Sequence, residues 1–179
     1  MWSGQFESQQ RAMKRLSYII PLSILLILIL LFANFGSLKN ALLILITIPL
    51  AAIGGILGLF FANIHLSVSA VVGFIALSGV SVQNGIILVS VFNRLRQEGQ
   101  NLKIAIVHGV KERLRPVVMT AMLASMGLLP AALSTGTGSE TQKPFAVVIV
   151  FGMISAVVLT LIVLPTLYGW IEKEKPKEA

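Results

Sequence analysis

The sequence of 179 residues contains no cysteine and no aspartate. Without cysteine, the chain can form neither a disulfide framework nor a thiolate metal site. Its seven acidic residues are all glutamates, and none of them lies inside a long apolar run. Any chemistry that requires a carboxylate within such a run is therefore excluded for this chain by itself.

Charge of either sign is also scarce, since 12% of the residues are charged and 56% are hydrophobic. Few globular domains have so little charge, and long apolar runs are typical of membrane proteins. The net charge of +7 comes from residues that lie between the apolar runs. We expect these positive side chains to set the orientation and to contact anionic lipid head groups, so no nucleic-acid partner is predicted.

Five apolar runs are long enough to cross a bilayer, for which about 20 residues suffice. They cover residues 16–35, 41–62, 66–92, 116–133 and 144–171. The sequence therefore predicts an all-α membrane protein whose transmembrane domain spans 16–171. The polar segment 1–15 precedes this domain, and 172–179 forms a charged tail.

The segment between the third and fourth runs has a helical pattern of its own. Leu102, Ile106 and Val110 are spaced to share one face of a helix over about 101–112, with Asn101 as its N-cap. This pattern predicts an amphipathic helix along the membrane surface, separate from the spans.

The third run has no charged residue over 27 positions, but its middle is polar. It contains Ser78, Ser81, Gln83, Asn84 and Gly85. Amide side chains near the middle of a membrane are costly unless other helices or a wet cavity receive them. We therefore expect this helix to face other helices rather than lipid.

The second run carries a helix-packing motif. Gly54 and Gly58 form a G-x-x-x-G pair, which allows a neighbouring helix to approach closely. Pro49 in the same run predicts a kink.

The positive residues indicate an orientation. If the N-terminus lies outside, ten Lys and Arg residues fall on the inside and four on the outside. This bias favours an outer N-terminus and an inner C-terminus. The first span alone argues the reverse, because Arg11, Lys14 and Arg15 precede it and Lys39 follows it. Such a misfit is expected if a segment upstream normally fixes its direction.

Four stretches resemble one family. They are WSGQFESQQRAMKRL, GFIALSGVSVQNGIILVS, ERLRPVVMTAML and GLLPAALSTGTGSETQKP. They are similar to the C-terminal part of resistance–nodulation–division (RND) exporters, most closely to the cobalt–zinc–cadmium branch. The resemblance implies that the five spans are the last five of a twelve-span fold. It also implies that 1–15 is the end of a periplasmic domain, and that the chain is a piece of a longer transporter.

The resemblance also suggests residues for a proton pathway. Gln83 stands where drug-exporting members carry a lysine that pairs with aspartates of the fourth span; Asn84, Thr120 and Arg113 are further candidates. Each has a plainer alternative: Gln83 as an amide that joins helices, Thr120 bonded to its own backbone, and Arg113 as an interfacial anchor. Helix-packing roles are predicted for Gly54, Gly58, Ser81 and Gly85.

No resident metal or cofactor is predicted. Met119, Met122 and Met126 fall on one helix face, a pattern more typical of packing than of a soft-metal ladder. The copper–silver branch tends to place a methionine where this chain has Gln142, which weakens a monovalent-metal interpretation. His65 and His108 have no partner at metal-ligand spacing.

The sequence therefore favours the C-terminal membrane part of a proton-driven exporter of divalent metal cations, inactive alone. By resemblance it resides in the bacterial inner membrane, in a homotrimer that includes the remaining N-terminal part and works with a periplasmic adaptor and an outer-membrane channel. The alternative is a small membrane protein that regulates partners through its glycine-rich helix faces. An enzyme is disfavoured, because no nucleophile, base and metal-ligand set can be assembled.

Overall fold

A computed structural model describes residues 2–136 and 138–172, with side chains from Gln10 onward. These residues form six helices. They are α1 (Trp2–Phe35), α2 (Leu38–Leu45), α3 (Thr47–Phe61), α4 (Val68–Gln97), α5 (Leu102–Leu133) and α6 (Ser139–Ile171). Because α2 and α3 together make one apolar segment, five segments are long and apolar enough to cross a membrane. The predicted all-α fold with five segments that could each cross a membrane is confirmed.

Helix α1 begins at Trp2, well before the predicted span 16–35. The polar residues ahead of the apolar run lack proline and include several good helix formers, so the helix extends through them. Pro21 therefore lies in the helix interior rather than near its start. Most of α1 stands apart from the bundle: Tyr18 is 70% exposed, whereas Leu31, near the C-terminal end, is buried.

The second span is interrupted at Ile46, between α2 and α3. Pro49 has no N–H to donate to the carbonyl of Leu45, so one helical hydrogen bond is missing there. Thr47 Oγ1 donates to the carbonyl oxygen of Ile44 at 2.6 Å, so the buried hydroxyl of Thr47 has a hydrogen-bond acceptor. The helix break at Ile46 thus lies within one turn before Pro49, the residue from which the sequence predicts a kink.

The predicted separate surface helix at about 101–112 is wrong. Helix α5 runs without a break from Leu102 through Pro116, because one missing backbone hydrogen bond is tolerated where neighbouring helices support the chain. The apolar face of its first turns packs on protein: Leu102 is buried in one cluster with Phe92 and Tyr168. Asn101 does occupy the N-cap position, but its side chain makes no capping hydrogen bond.

Helix α6 lies at the centre of the bundle and packs against α3, α4 and α5. It begins at Ser139, five residues before the predicted start of its span. Two apolar clusters surround it: one includes Leu77 and Met153, and the other includes Leu164 and Tyr168. Of the predicted charged tail 172–179, residues 173–179 lie outside the described residues.

Two of the connections between helices are very short and rest on left-handed backbone positions. Gly36 has φ of 60° just after α1, and Asn63 has φ of 54° just after α3. Glycine and asparagine adopt such angles more readily than other residues. These turns keep successive helices antiparallel and adjacent.

Candidate functional site in the membrane bundle

The glycines of α3 lie against α6. A Cβ added at Gly54 would lie 2.5 Å from the carbonyl oxygen of Phe151 and would overlap the side chain of Ser155. At Gly58, an added Cβ would lie 2.7 Å from Phe151 Cβ. Ser155 Oγ also donates to the carbonyl oxygen of Leu50 at 2.9 Å. The glycine-lined face of α3 is therefore filled by α6 and is not an open surface.

The polar residues in the middle of α4 point in different directions. Ser81 is fully buried and donates its hydroxyl to the carbonyl oxygen of Leu77 at 2.9 Å. Gly85 faces the second span, where an added Cβ would lie 3.2 Å from Thr47 Cγ2. Asn84 is half-buried, and Gln83 is exposed. The amide of Gln83 thus lies in mid-span on a face that the described residues do not cover.

Thr120 is exposed on α5, and its hydroxyl donates to the carbonyl oxygen of Pro116 at 2.9 Å. An added Cβ at Gly109 of α5 would meet Phe92 of α4. Because α4 and α5 run antiparallel, Thr120, eleven residues after Gly109, lies at nearly the same depth as Gln83, nine residues before Phe92. The two side chains are thus exposed at one level of neighbouring helices. Arg113 lies about two turns before Thr120, towards the N-terminal end of α5. Its buried Nε has no hydrogen-bond partner among the described residues.

A polar network joins the C-terminal ends of α4 and α6. Tyr168 Oη donates to Asn93 Oδ1 at 2.7 Å, and its ring lies 5.0 Å from that of Phe92. Arg96 Nη1 donates to Glu172 Oε2 at 2.8 Å in a partly buried ion pair. Tyrosines near the end of a span often lie at the membrane interface, but Tyr168 is completely buried. The sequence feature that could have predicted this network is the pair of arginines, Arg94 and Arg96, in the last turn of α4.

A second ion pair joins α4 to α5 at the same end. Arg94 Nη2 donates to both carboxylate oxygens of Glu112, at 3.0 and 2.8 Å. Both side chains are about half exposed, so water screens this pair more than the pair of Arg96. The end of α4 is thus tied to both of its neighbours.

The described residues hold no group of three or more His, Asp or Glu side chains that could bind a metal ion. His65 and His108 are both exposed. His65 lies between α3 and α4, whereas His108 lies in α5. The three methionines of α5 are exposed as well, with Met126 at 70%. They therefore do not pack in the core of this chain.

A cleft of about 410 Å³ opens between the first turns of α4 and α6 and the last turns of α5. Its polar lining consists of Ser69, Thr141 and Gln142, and its other walls are apolar. Hydroxyl and amide groups without a carboxylate, imidazole or thioether make a poor site for a transition metal.

Five membrane-length segments, one of which is the central helix α6, define a polytopic membrane protein, and it has polar side chains on an uncovered mid-membrane face. Polar groups at that depth are characteristic of transport proteins, which pass ions or protons between helices. Comparison with known proteins identifies the family to which this chain belongs.

The sequence matches the model of the AcrB/AcrD/AcrF family over residues 1–172, and the chain belongs to this family of RND transporters. It is 48% identical over 167 residues to the cobalt-zinc-cadmium resistance protein CzcA of Cupriavidus metallidurans. It is 45% identical over 174 residues to the nickel and cobalt resistance protein CnrA of the same organism. The cation efflux system protein CusA of Escherichia coli is 35% identical over 190 residues.

These alignments cover nearly the whole chain but a small part of each relative. The shares are 93% of this chain and 16% of CzcA, 97% and 16% for CnrA, and 99% and 18% for CusA. A crystal structure of a heavy metal efflux pump superposes with a TM-score of 0.84 at 49% identity, covering 93% of this chain and 17% of that one. The chain thus spans about one sixth of the length of these relatives, and the family is one of transporters rather than enzymes.

Proposed function

We propose that this chain supplies the last five of twelve spans in a proton-driven exporter of divalent heavy-metal cations, and that it does not transport alone. The observation that carries the proposal is the exposure of Gln83 in the middle of α4. A primary amide facing lipid at that depth is costly, so this face requires another protein segment. The rest of the transporter is the segment that we expect there.

The proton step needs groups that this chain does not have. None of the four glutamates whose side chains the structure describes lies in the middle of a long apolar run. Glu98 and Glu172 occupy the C-cap positions of α4 and α6, Glu112 is in the third turn of α5, and Glu140 is in the first turn of α6. A neutral amide or hydroxyl can accept or donate a hydrogen bond but cannot store a proton at neutral pH. We therefore place the proton-carrying carboxylates on the remaining part, opposite Gln83 and Thr120.

Asn84 and Arg113 complete the candidate pathway. Asn84 is half-buried beside Gln83, and Arg113 has an unpartnered Nε near the charged end of α5. We propose that Arg113 meets protons or water at the inner surface and that Asn84 orients the neighbouring amide. Ser81, Gly85, Gly54 and Gly58 keep the helices in contact, consistent with their burial.

The proposed substrate class follows from the relatives, whose names assign them resistance to cobalt, zinc, cadmium and nickel. Identities to the relatives so named are 44% to 48%. Cobalt, zinc, cadmium and nickel are divalent as free cations, which supports divalent cations as the substrate class. The metal itself would be bound outside the described bundle, since these residues provide no metal-ligand cluster.

We further propose that the protein resides in the bacterial inner membrane, with a periplasmic N-terminus and a cytoplasmic C-terminus. The ion-paired arginines at the end of α4 would then lie on the cytoplasmic side, as the positive-inside rule expects. Segment 1–15 would be the end of a periplasmic domain. The full assembly would be a homotrimer with a periplasmic adaptor and an outer-membrane channel.

The alternative, a small partner protein that uses its glycine-rich faces, has less support. Gly54 and Gly58 are already in contact with α6 inside the chain. Gly55 is likewise filled, since an added Cβ would lie 2.6 Å from Phe74 Cε1. These faces are not free to recruit a second protein.

A complementation assay tests the proposal. A metal-sensitive bacterial strain receives this chain alone, the remaining part of a heavy-metal relative alone, or both together, and growth is measured at increasing zinc, cobalt and cadmium. We expect tolerance when both parts are present. Full tolerance from this chain alone would overturn the proposal, and so would no gain from the pair when both parts are detected in the membrane.

A further inference from the structure

Thr160 of α6 is 2% exposed, and its Oγ1 has no hydrogen-bond partner among the described residues. Several other hydroxyl side chains in these helices donate to a carbonyl of their own helix. Ser78, Ser81, Thr120 and Thr166 all do so. A buried hydroxyl without a partner is unfavourable, so Thr160 calls for a specific explanation.

The register between α4 and α6 identifies what lies opposite Thr160. Three contacts fix this register: Gly73 with Val148, Leu77 with Gly152, and Asn93 with Tyr168. In every pair the residue number in α6 exceeds that in α4 by 75. The two parallel helices therefore keep the same register over the twenty residues from Gly73 to Asn93. The same offset places Thr160 at the depth of Gly85, where Ile44 Cγ2 and Thr47 Cγ2 each lie 3.2 Å from the position of an added Cβ. Glycine itself has no side chain that could accept a hydrogen bond from Thr160.

Two further hydroxyls lie beside Gly85. Thr47 Oγ1 is 3.6 Å from the position that a Cβ at Gly85 would take. Ser81 is one turn earlier on α4 and is fully buried. Both hydroxyls give their hydrogen to a backbone carbonyl, of Ile44 and Leu77 respectively. Each oxygen therefore keeps lone pairs that can accept a hydrogen bond.

We infer that a water molecule is bound at this junction of α3, α4 and α6. It accepts a hydrogen bond from Thr160 Oγ1 and donates to the hydroxyl oxygens of Thr47 and Ser81, which gives it the two to four polar partners that buried water typically has. The site lies on the buried side of α4, whereas Gln83 lies on the exposed side. It is a property of the bundle and does not depend on the proposed transport function.

Replacement of Thr160 by valine distinguishes a hydroxyl that binds water from a hydroxyl that has neither water nor any other partner. If Thr160 is dry and unpartnered, Thr160→Val removes an unfavourable group and raises the thermal unfolding midpoint. If it binds water, the variant loses those hydrogen bonds and lowers the midpoint by about 2–4 °C, whereas Thr160→Ser stays near the unmodified chain. Thr166→Val, an exposed hydroxyl on the same helix, is the matched control and should change the midpoint little.

Water-edited solid-state NMR on the unmodified chain in lipid bilayers detects the water directly and does not depend on how a variant folds. With threonine and alanine labelled, polarisation should pass from water to Thr160 and Thr47 but not to the fully buried Ala146. Transfer to Thr160 together with a lowered midpoint of Thr160→Val supports the site. Absence of that transfer, or a raised midpoint, overturns it.

Discussion

Tyr168 donates its hydroxyl hydrogen to Asn93 Oδ1 at 2.7 Å, joining the last turns of α6 and α4. The tyrosine is fully buried and its ring packs against Phe92, so the hydrogen bond forms where water has little access. Association of helices within a membrane relies on packing and on such hydrogen bonds rather than on the hydrophobic effect. This pair therefore fixes how α4 and α6 align.

Replacement of Tyr168 by phenylalanine should destabilise the bundle. The variant keeps the ring but leaves Asn93 Oδ1 without its donor, at a cost of about 1–2 kcal/mol. Unfolding by titration with SDS, followed by circular dichroism, measures this free energy. Tyr18→Phe is the matched control, because Tyr18 is 70% exposed on the free part of α1. Equal stabilities of the two variants would show that the Tyr168 hydroxyl is not engaged.

The two ion pairs at the end of α4 should differ in strength. The pair of Arg96 with Glu172 has side chains 18% and 29% exposed, against 52% and 43% for Arg94 with Glu112. Double-mutant cycles with alanine should give the first pair a coupling of about 1–3 kcal/mol and the second at most about 1 kcal/mol. The reverse order, or a coupling that disappears equally in both pairs at high salt, would contradict the structure.

The close contact of α3 with α6 predicts opposite effects of two glycine substitutions. Gly58→Ala should cost about 1–3 kcal/mol, because the new methyl group meets Phe151 Cβ at 2.7 Å. Gly79→Ala should be neutral or stabilising by up to about 1 kcal/mol, since nothing lies within 4 Å of its added Cβ and alanine favours helix. Unfolding in SDS measures both, and a Gly58→Ala variant as stable as Gly79→Ala would refute the contact.

The number of spans could be predicted from the sequence because each span is a long apolar run. The helix limits could not, since Pro116 looks like a boundary although α5 continues through it. A single missing hydrogen bond is weak compared with the packing of Gly109 against Phe92, which supports the turns before the proline. Local sequence does not contain that tertiary contact.

The candidate site was predictable in its residue types but not in its geometry. The amides at 83 and 84 were visible as polar groups in an apolar run, yet their unequal exposure depends on which helices pack beside α4. The buried pair of Tyr168 and Asn93 depends on a register between residues 75 positions apart. The unpartnered hydroxyl of Thr160 likewise appears only when the helices are assembled.

Replacement of Gln83 by leucine should separate transport from stability. In the complete transporter we expect metal tolerance to fall at least tenfold, because leucine cannot hydrogen-bond to a carboxylate of the remaining part. The stability of this chain by itself should be unchanged, since Gln83 is exposed there. Ser90→Ala, on the same face two turns later, is the control for a mild surface change. Full tolerance with Gln83→Leu would remove Gln83 from the proton pathway.

The central claim is that the rest of the transporter covers the Gln83 face, and photocrosslinking tests it most directly. A photoreactive phenylalanine analogue at position 83 is irradiated in membranes that contain this chain and the remaining part as separate chains. We predict a crosslinked product containing both chains from position 83 and none from position 32, which is exposed on α1. Crosslinks from position 83 to lipid alone, with both chains present and metal tolerance restored, would contradict the account.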